Sequence, residues 1–292
     1  MKKLLSISLL SVMIISVAFT FTKNSGTKSE SPAVKKKVFL KYNYPQDKTV
    51  KYLNKTKMKQ VMDIQGMVME ASIVSIAGCS IKSTGIEAGN LKLTVMIDTM
   101  AQTIESPNGY SGGAITDAIG KSFNMILSAS GKELDLTNAN ELVFDIPGSG
   151  KSNATQTFTD FFPDLPVKKV KPGYKWTSTD SVNAVSPSMT TVSFTEAENT
   201  FEGVETIDGI DCAKITSILS GTHSIKTETQ GMDVKTNGKF TGTSVVYFAI
   251  SEGYFVKQTS ESKLEGTLDL TYPQEMSMPL TMEISSVSEV VK

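Results

Sequence analysis

Lys263-Leu264-Glu265-Gly266-Thr267-Leu268-Asp269-Leu270-Thr271-Tyr272 alternates without a break. Leu264, Gly266, Leu268, Leu270 and Tyr272 fall on one side, and Lys263, Glu265, Thr267, Asp269 and Thr271 on the other. A period of two is that of a β-strand with one face on a core and one in water. The same split recurs in Lys51–Ile64, where Tyr52, Met58, Met62 and Ile64 oppose Lys51, Lys55, Lys57 and Lys59. Leu91, Leu93, Val95 and Ile97 repeat it, as do Ser244, Val246, Phe248 and Ile250. The segments 48–64, 90–105, 211–229, 237–251 and 253–272 read as strands well beyond the usual ~5–6 residues. Such lengths suit a strongly curved sheet or an open barrel around something apolar. Breakers fall at Gly85–Asn90, Ser106–Gly109, Ser128–Gly131, Asp208-Gly209, Asn237-Gly238 and Glu252-Gly253. Asn-Gly between alternating runs is a strong hairpin signal, so Asn237-Gly238 is read as a turn.

The middle of the chain departs from the alternation. Thr137–Phe144 starts with a capping pair, Thr137 and Glu141, and Asn153–Phe162 starts with Asn153 ahead of Phe158, Phe161 and Phe162. Two short helices are expected there. Pro163 and Pro166 then mark a crossing between two stretches of nearly equal size, 38–164 and 165–292. Each half carries one Cys in a strand-like run, Cys79 and Cys212, which suggests a weak internal repeat. The expected fold is therefore mainly β: two curved antiparallel sheets, half-barrel-like, with short helices between or plugging them.

The N-terminus bears on location. Lys2 and Lys3 precede the apolar run Leu4–Val17, and Ser16 and Ala18 stand where a signal peptidase needs small residues. Residues 1–18 thus read as a secretory signal peptide. The rival is an uncleaved anchor, since Phe19 and Phe21 prolong the run, but Ser6, Ser8, Ser11 and Ser16 interrupt it. No Cys follows, so a lipid anchor is not expected. Residues 19–37 read as a flexible tether rich in Ser, Thr and Lys. An exported protein, periplasmic or secreted and monomeric, with no integral membrane span in the mature chain, is the expectation.

Composition narrows the chemistry. The 292 residues hold 29 basic and 30 acidic side chains, and every basic one is Lys. Without Arg, the planar fork that reads phosphate and guanine is missing, so no nucleic-acid partner is expected. One His and two Cys leave little for a His/Cys metal cage. Gly148-Ser149-Gly150-Lys151-Ser152 has the tail of a phosphate loop, but Asp145 stands where that loop needs its first Gly. His223 is the only base for a triad, and no Gly-x-Ser-x-Gly elbow supplies a nucleophile. No cofactor, metal or catalytic residue is assigned, and a non-enzyme is expected. Cys79 and Cys212 are read as either a disulfide, given export, or two buried thiols. The 14 Met residues favour an adaptable apolar lining over soft-metal binding.

The order of features resembles an uncharacterised family of secreted bacterial β-rich proteins. The likeness rests on Ser-Gly-Lys at 130–132, Phe-Pro-Asp-Leu-Pro-Val at 162–167, Pro-Gly-Tyr-Lys-Trp at 172–176 and Val-Glu-Thr-Ile-Asp-Gly-Ile-Asp-Cys-Ala-Lys-Ile at 204–215. More distantly, long strands with a helical plug are similar to periplasmic lipoprotein carriers and related half-barrel proteins. That architecture implies a lipid or other hydrophobic ligand in an apolar concavity, lined here by Tyr52, Met58, Met62, Val246, Phe248 and Leu268. A structural or interaction module of the envelope or surface, with a closed core, is the alternative. N-terminal sequencing of the exported protein is expected to begin at Phe19; a chain that keeps Met1 in the membrane fraction contradicts the signal-peptide reading.

Overall fold

The computed structural model describes residues 37–291, except 47, 65, 108, 148–149, 230–231 and 272–274. The segment read as a signal peptide, 1–18, and nearly all of the segment read as a tether, 19–37, lie outside the described residues. In chain order the strands of the first half are β1 (Val38–Leu40), β2 (Thr49–Ile64), β3 (Met67–Glu87), β4 (Asn90–Ser106), β5 (Gly109–Ala114), β6 (Ser122–Leu127) and β7 (Glu133–Asp135). A short middle follows: α1 (Thr137–Glu141), β8 (Val143–Ile146), β9 (Gly150–Asn153), α2 (Ala154–Phe158) and β10 (Lys168–Val170). The second half gives β11 (Tyr174–Ser186), β12 (Met189–Ile207), β13 (Ile210–Thr229), β14 (Met232–Ala249), β15 (Tyr254–Leu270) and β16 (Met276–Val291).

Both halves join in one curved antiparallel sheet rather than two separate ones. Its order is β11-β12-β13-β14-β15-β16-β2-β3-β4-β6-β7, with β5 on β4. The junction is the pairing of the last strand with the first long one, from Leu280 opposite Met62 to Val291 opposite Lys51. The sheet does not close into a barrel, and its two ends are β11 and β7. Alternation along the strands sorts the faces as the sequence implies. Val50, Tyr52, Met58 and Met62 are buried, while Lys51, Lys55, Lys57 and Lys59 are exposed.

Register reveals an arrangement across the strands. Asn199, Ser217, Ser244, Ser260, Ser286, Thr56, Ser75 and Gln102 are successive cross-strand partners from β12 to β4. This polar rung lies on the inner face and divides two apolar clusters. On one side, Tyr52, Phe248 and Phe255 pack with Phe158, Phe161, Phe162 and Leu165 from the middle segment. On the other, Met58, Met62, Phe240, Leu264, Leu268, Met278 and Met282 pack together. Some rung members bond each other, as Ser217 Oγ does to Asn199 Oδ1 at 2.6 Å.

Several turns form where the sequence places them. Ala88-Gly89 and Asp208-Gly209 both have positive φ at each residue, the pattern that matches the twist of paired strands. Asn237-Gly238 is not a turn. It lies inside β14, between Ser224-His223 and Thr267-Gly266. The glycine serves close approach instead: a Cβ at Gly238 would meet Leu264 Cδ2 at 2.6 Å and the Glu265 carbonyl at 2.9 Å. A Cβ at the facing Gly266 would strike the Asn237 carbonyl oxygen.

The helices also differ in detail. In α1 the capping position is Leu136, with no side-chain cap bond, rather than Thr137. The helix stops at Glu141 because Val143–Ile146 pairs with Gly150–Asn153. The Gly-Lys-Ser tail therefore sits on a hairpin strand, not at a helix start. In α2, Asn153 caps as expected and accepts from the Gln156 N–H, but the helix ends at Phe158. Replacing Gly266 with Ala is expected to cost about 2–3 kcal/mol in urea unfolding, the upper part of the overpacking range. An unchanged midpoint contradicts the close-approach account.

Candidate functional site at the sheet seam

Two of the motifs read from the sequence meet where the two ends of the sheet approach each other. The Ser128–Lys132 turn closes with Lys132 N–H donating to Ser128 Oγ at 2.8 Å and Gly131 N–H to the Ser128 carbonyl at 3.1 Å. Gly131 has φ +101°, and a Cβ there would meet the Pro163 carbonyl oxygen at 2.6 Å and the Tyr42 ring at 2.8 Å. Only glycine fits a left-handed backbone pressed this closely on another chain segment. Leu165 N–H donates to the Ser130 carbonyl at 2.7 Å, and the Tyr42 hydroxyl donates to the Pro163 carbonyl at 2.9 Å. The turn thereby fixes the 158–166 segment, which carries Phe161, Phe162 and Leu165 into the core.

Lys132 spans the gap. Its ammonium donates to Asp180 Oδ2 at 2.7 Å and to the Thr179 carbonyl at 2.9 Å, both on β11, and lies 3.0 Å from Asp164 Oδ2. An ammonium has three N–H donors, and here each has an acceptor. The β11 edge receives two further side-chain bonds, Gln156 Nε2 to the Ala184 carbonyl at 2.9 Å and Asn153 Nδ2 to the Val185 carbonyl at 2.8 Å. The seam is thus closed by side chains, where a barrel would use a strand ladder.

Carboxyl groups outnumber the one cation. Asp160, Asp164, Asp180 and Glu133 gather around Lys132. Burial raises Asp160 to about 7, with the Asp180 charge adding to the shift and Lys132 opposing it. Asp164 is raised by burial despite Lys132, and Glu133 is raised well above the carboxylate range by burial and by Asp160. Lys132 itself is held above its ordinary value, because the bonds from Asp180 and Asp164 outweigh its desolvation. Glu133 Oε1 accepts the Phe162 N–H at 3.2 Å, while Asp160 Oδ1 is buried with no hydrogen-bond partner. Below the cluster lies a cavity of about 90 Å³, walled by Asp160, Asp164, Asp180, Asn199, Ser217 and Val246 among others. The cavity sits on the polar rung.

The residues expected to line a ligand do not share one site. Tyr52 and Phe248 are packed in the aromatic cluster, where the Tyr52 ring lies 5.5 Å from Phe161 and its hydroxyl donates to the Phe255 carbonyl at 2.9 Å. Val246 borders the small cavity. Met58, Met62 and Leu268 belong to the second cluster. A larger groove of about 810 Å³ crosses β14, β15, β16, β2 and β3 at the level of Met58. It is lined by the outward Lys57, Lys59, Lys263 and Glu283 and also by Met58, Ile73 and Ser262, which are buried.

Cys79 and Cys212 are free and buried, and the disulfide left open by the sequence is not formed. They stand on β3 and β13, with four strands between them along the sheet. Burial pushes the Cys212 thiol up to about 11 and Cys79 higher still, so both are poor nucleophiles. His223 faces inward opposite Gly238, and burial lowers it to about 4. Among the described residues, no group of three His, Cys, Asp or Glu side chains is placed to hold a metal ion, and no helix is long and apolar enough to cross a membrane.

The seam acids are not legible in the sequence. Any pair among its 30 carboxylates is open, and only the Ser-Gly-Lys and Phe-Pro-Asp-Leu-Pro-Val motifs point toward Lys132 and Asp164.

No family model matches the chain, and no curated protein matches it. Among solved structures it is similar to Pseudomonas aeruginosa OccK2 (OpdF) in complex with glucuronate, at 6% identity over 86% of this chain and 100% of that one, TM-score 0.26. It is also similar to a DUF1329 family protein from Desulfovibrio piger, at 12% identity over 80% of this chain and 84% of that one, TM-score 0.14. Likenesses at these scores decide nothing about the site.

Replacing Lys132 with Met leaves the seam carboxyls without their cation. Breaking a fully buried pair costs about 3–5 kcal/mol; with 35% of the lysine side chain exposed, about 1–3 kcal/mol is expected in urea unfolding at pH 7. A change within about 0.5 kcal/mol, the usual surface range, contradicts the anchoring role.

Proposed function

We propose that the chain works outside the cytoplasm, in the envelope or at the cell surface, as a non-enzymatic interaction scaffold whose concavity is filled by its own side chains. The filled inner face carries this reading: Tyr52, Met58, Met62, Val246, Phe248 and Leu268 are each no more than 4% exposed. Phe158, Phe161, Phe162 and Leu165 occupy the space that an acyl chain would take in an open half-barrel. The 90 Å³ cavity beside them is polar on several sides and too small for a long chain. The apolar start of the sequence, with its small-residue exit, supports export. The poor nucleophilicity of both thiols and the isolation of His223 support a role without catalysis.

A second reading, binding of a lipid or other hydrophobic molecule, has its own support. Met58, Met62, Met189, Met278 and Met282 lie in the cluster beyond the rung, and thioether side chains repack readily around a guest. The plug is also held to β11 by side chains, which exchange partners more easily than a strand ladder.

Mass spectrometry of protein purified from its native envelope, with titration of a fluorescent fatty acid, separates the two. The scaffold reading expects no co-purifying amphiphile and no saturable binding. A stoichiometric amphiphile transfers the function to the second reading.

A further inference from the structure

We propose that the seam is a proton-operated latch: a protonated Asp160 clamps the 158–166 segment under β11, and its ionisation releases that segment and opens the inner face. The geometry sets this up. Asp160 and Asp164, on the plug, and Asp180, on β11, wall the same small cavity, and carboxyl groups gathered this closely do not all ionise together. Asp160 Oδ1 is buried without a hydrogen-bond partner in the protein, so an ionised Asp160 needs compensation from its neighbours.

The groups facing Asp160 do not supply that compensation. Lys132, from the turn before β7, already has all three donors engaged by Asp164, Asp180 and Thr179. Glu133 on β7 and Asp164 on the plug add like charge. The Tyr42 hydroxyl, on the segment after β1, is committed to the Pro163 carbonyl. Strands β12 to β15 present only neutral groups to the cavity, among them Thr195, Asn199, Ser217, Ser244 and Gln258. The plug is bounded by Asp160 at φ +58° and Val167 at φ +46°. The second is a costly conformation for a β-branched residue, so release also relieves strain.

The sign follows from linkage. Asp160 is raised to about 7 in the closed state against an ordinary value of 3.8, so the closed state binds the extra proton between these limits. Closure is tightest in acid and weakens as pH rises from about 4 to about 7. A simple Lys–Asp bridge would do the reverse. Glu133 and Asp164, also raised, act in the same direction as Asp160. His223 acts against it in global stability: lowered to about 4, it costs stability as pH falls from 6.5 toward 4. The latch is therefore read locally, not from a melting curve.

Hydrogen exchange with mass spectrometry, corrected for intrinsic rates, is compared at pH 5.5 and 8.0 for the full exported chain and its Asp160→Asn variant. In the wild type, protection across 154–166 and 174–186 is expected to fall about 10–30-fold at pH 8.0, the span set by one shifted carboxyl. In Asp160→Asn the fall should shrink to the smaller part that Glu133 and Asp164 contribute. Wild-type protection that is unchanged or greater at pH 8.0, or an equal loss in the variant, overturns the latch. Should the variant not fold, the wild-type infrared spectrum decides: a protonated-carboxyl band that titrates near neutral pH supports it, and its absence at pH 6 refutes it. No ligand enters either measurement, so the outcome is independent of what the inner face binds.

Discussion

Lys132 holds together parts of the chain that no strand pairing joins. Its ammonium ties the turn before one end of the sheet to Asp180 and Thr179 at the other end, and to Asp164 on the plug. A sheet of this curvature brings its edges near each other without closing the ladder, and exposed edges invite pairing with other chains. Here the gap is covered by side chains: the ammonium in the middle, and the Asn153 and Gln156 amides toward the far end of β11. With the edges held, the aromatic plug stays seated and the inner face stays dry.

The interior is organised in bands perpendicular to the strands. An aromatic cluster fills one end, a methionine- and leucine-rich cluster the other, and a row of small polar residues separates them. Serine suits that row because its side chain is short, which leaves room for the cavity beneath the seam. It comes at a cost, since Ser260 Oγ is buried without a partner. The glycines at 238 and 266 work similarly in the second band, Gly238 making room for the Leu264 side chain and Gly266 for the Asn237 backbone.

Much of the fold is legible in the sequence because period-two alternation is a local property. Tyr52, Met62, Leu264 and Leu268 could be assigned to a buried face from their neighbours alone. Asn237-Gly238 shows the limit: the dipeptide fits a turn, but packing across β14 and β15 decides its role. The polar rung depends on register among eight strands, which no single segment encodes. The seam depends on Lys132, Asp164 and Asp180 converging from distant positions. The motifs that carry Lys132 and Asp164 were visible as motifs, yet their meeting point was not. The same holds for the six proposed lining residues, which share a face but divide between two clusters.

The account makes the plug's position depend on one cation. Residue-resolved hydrogen exchange on the Lys132→Met protein, set against the wild type at one pH, tests this most directly. Loss of protection together in α2, in 158–166 and along β11, with β13–β16 and β2–β4 still protected, is the predicted result. Increased exchange confined to residues 130–133, with the plug and β11 unchanged, would contradict it.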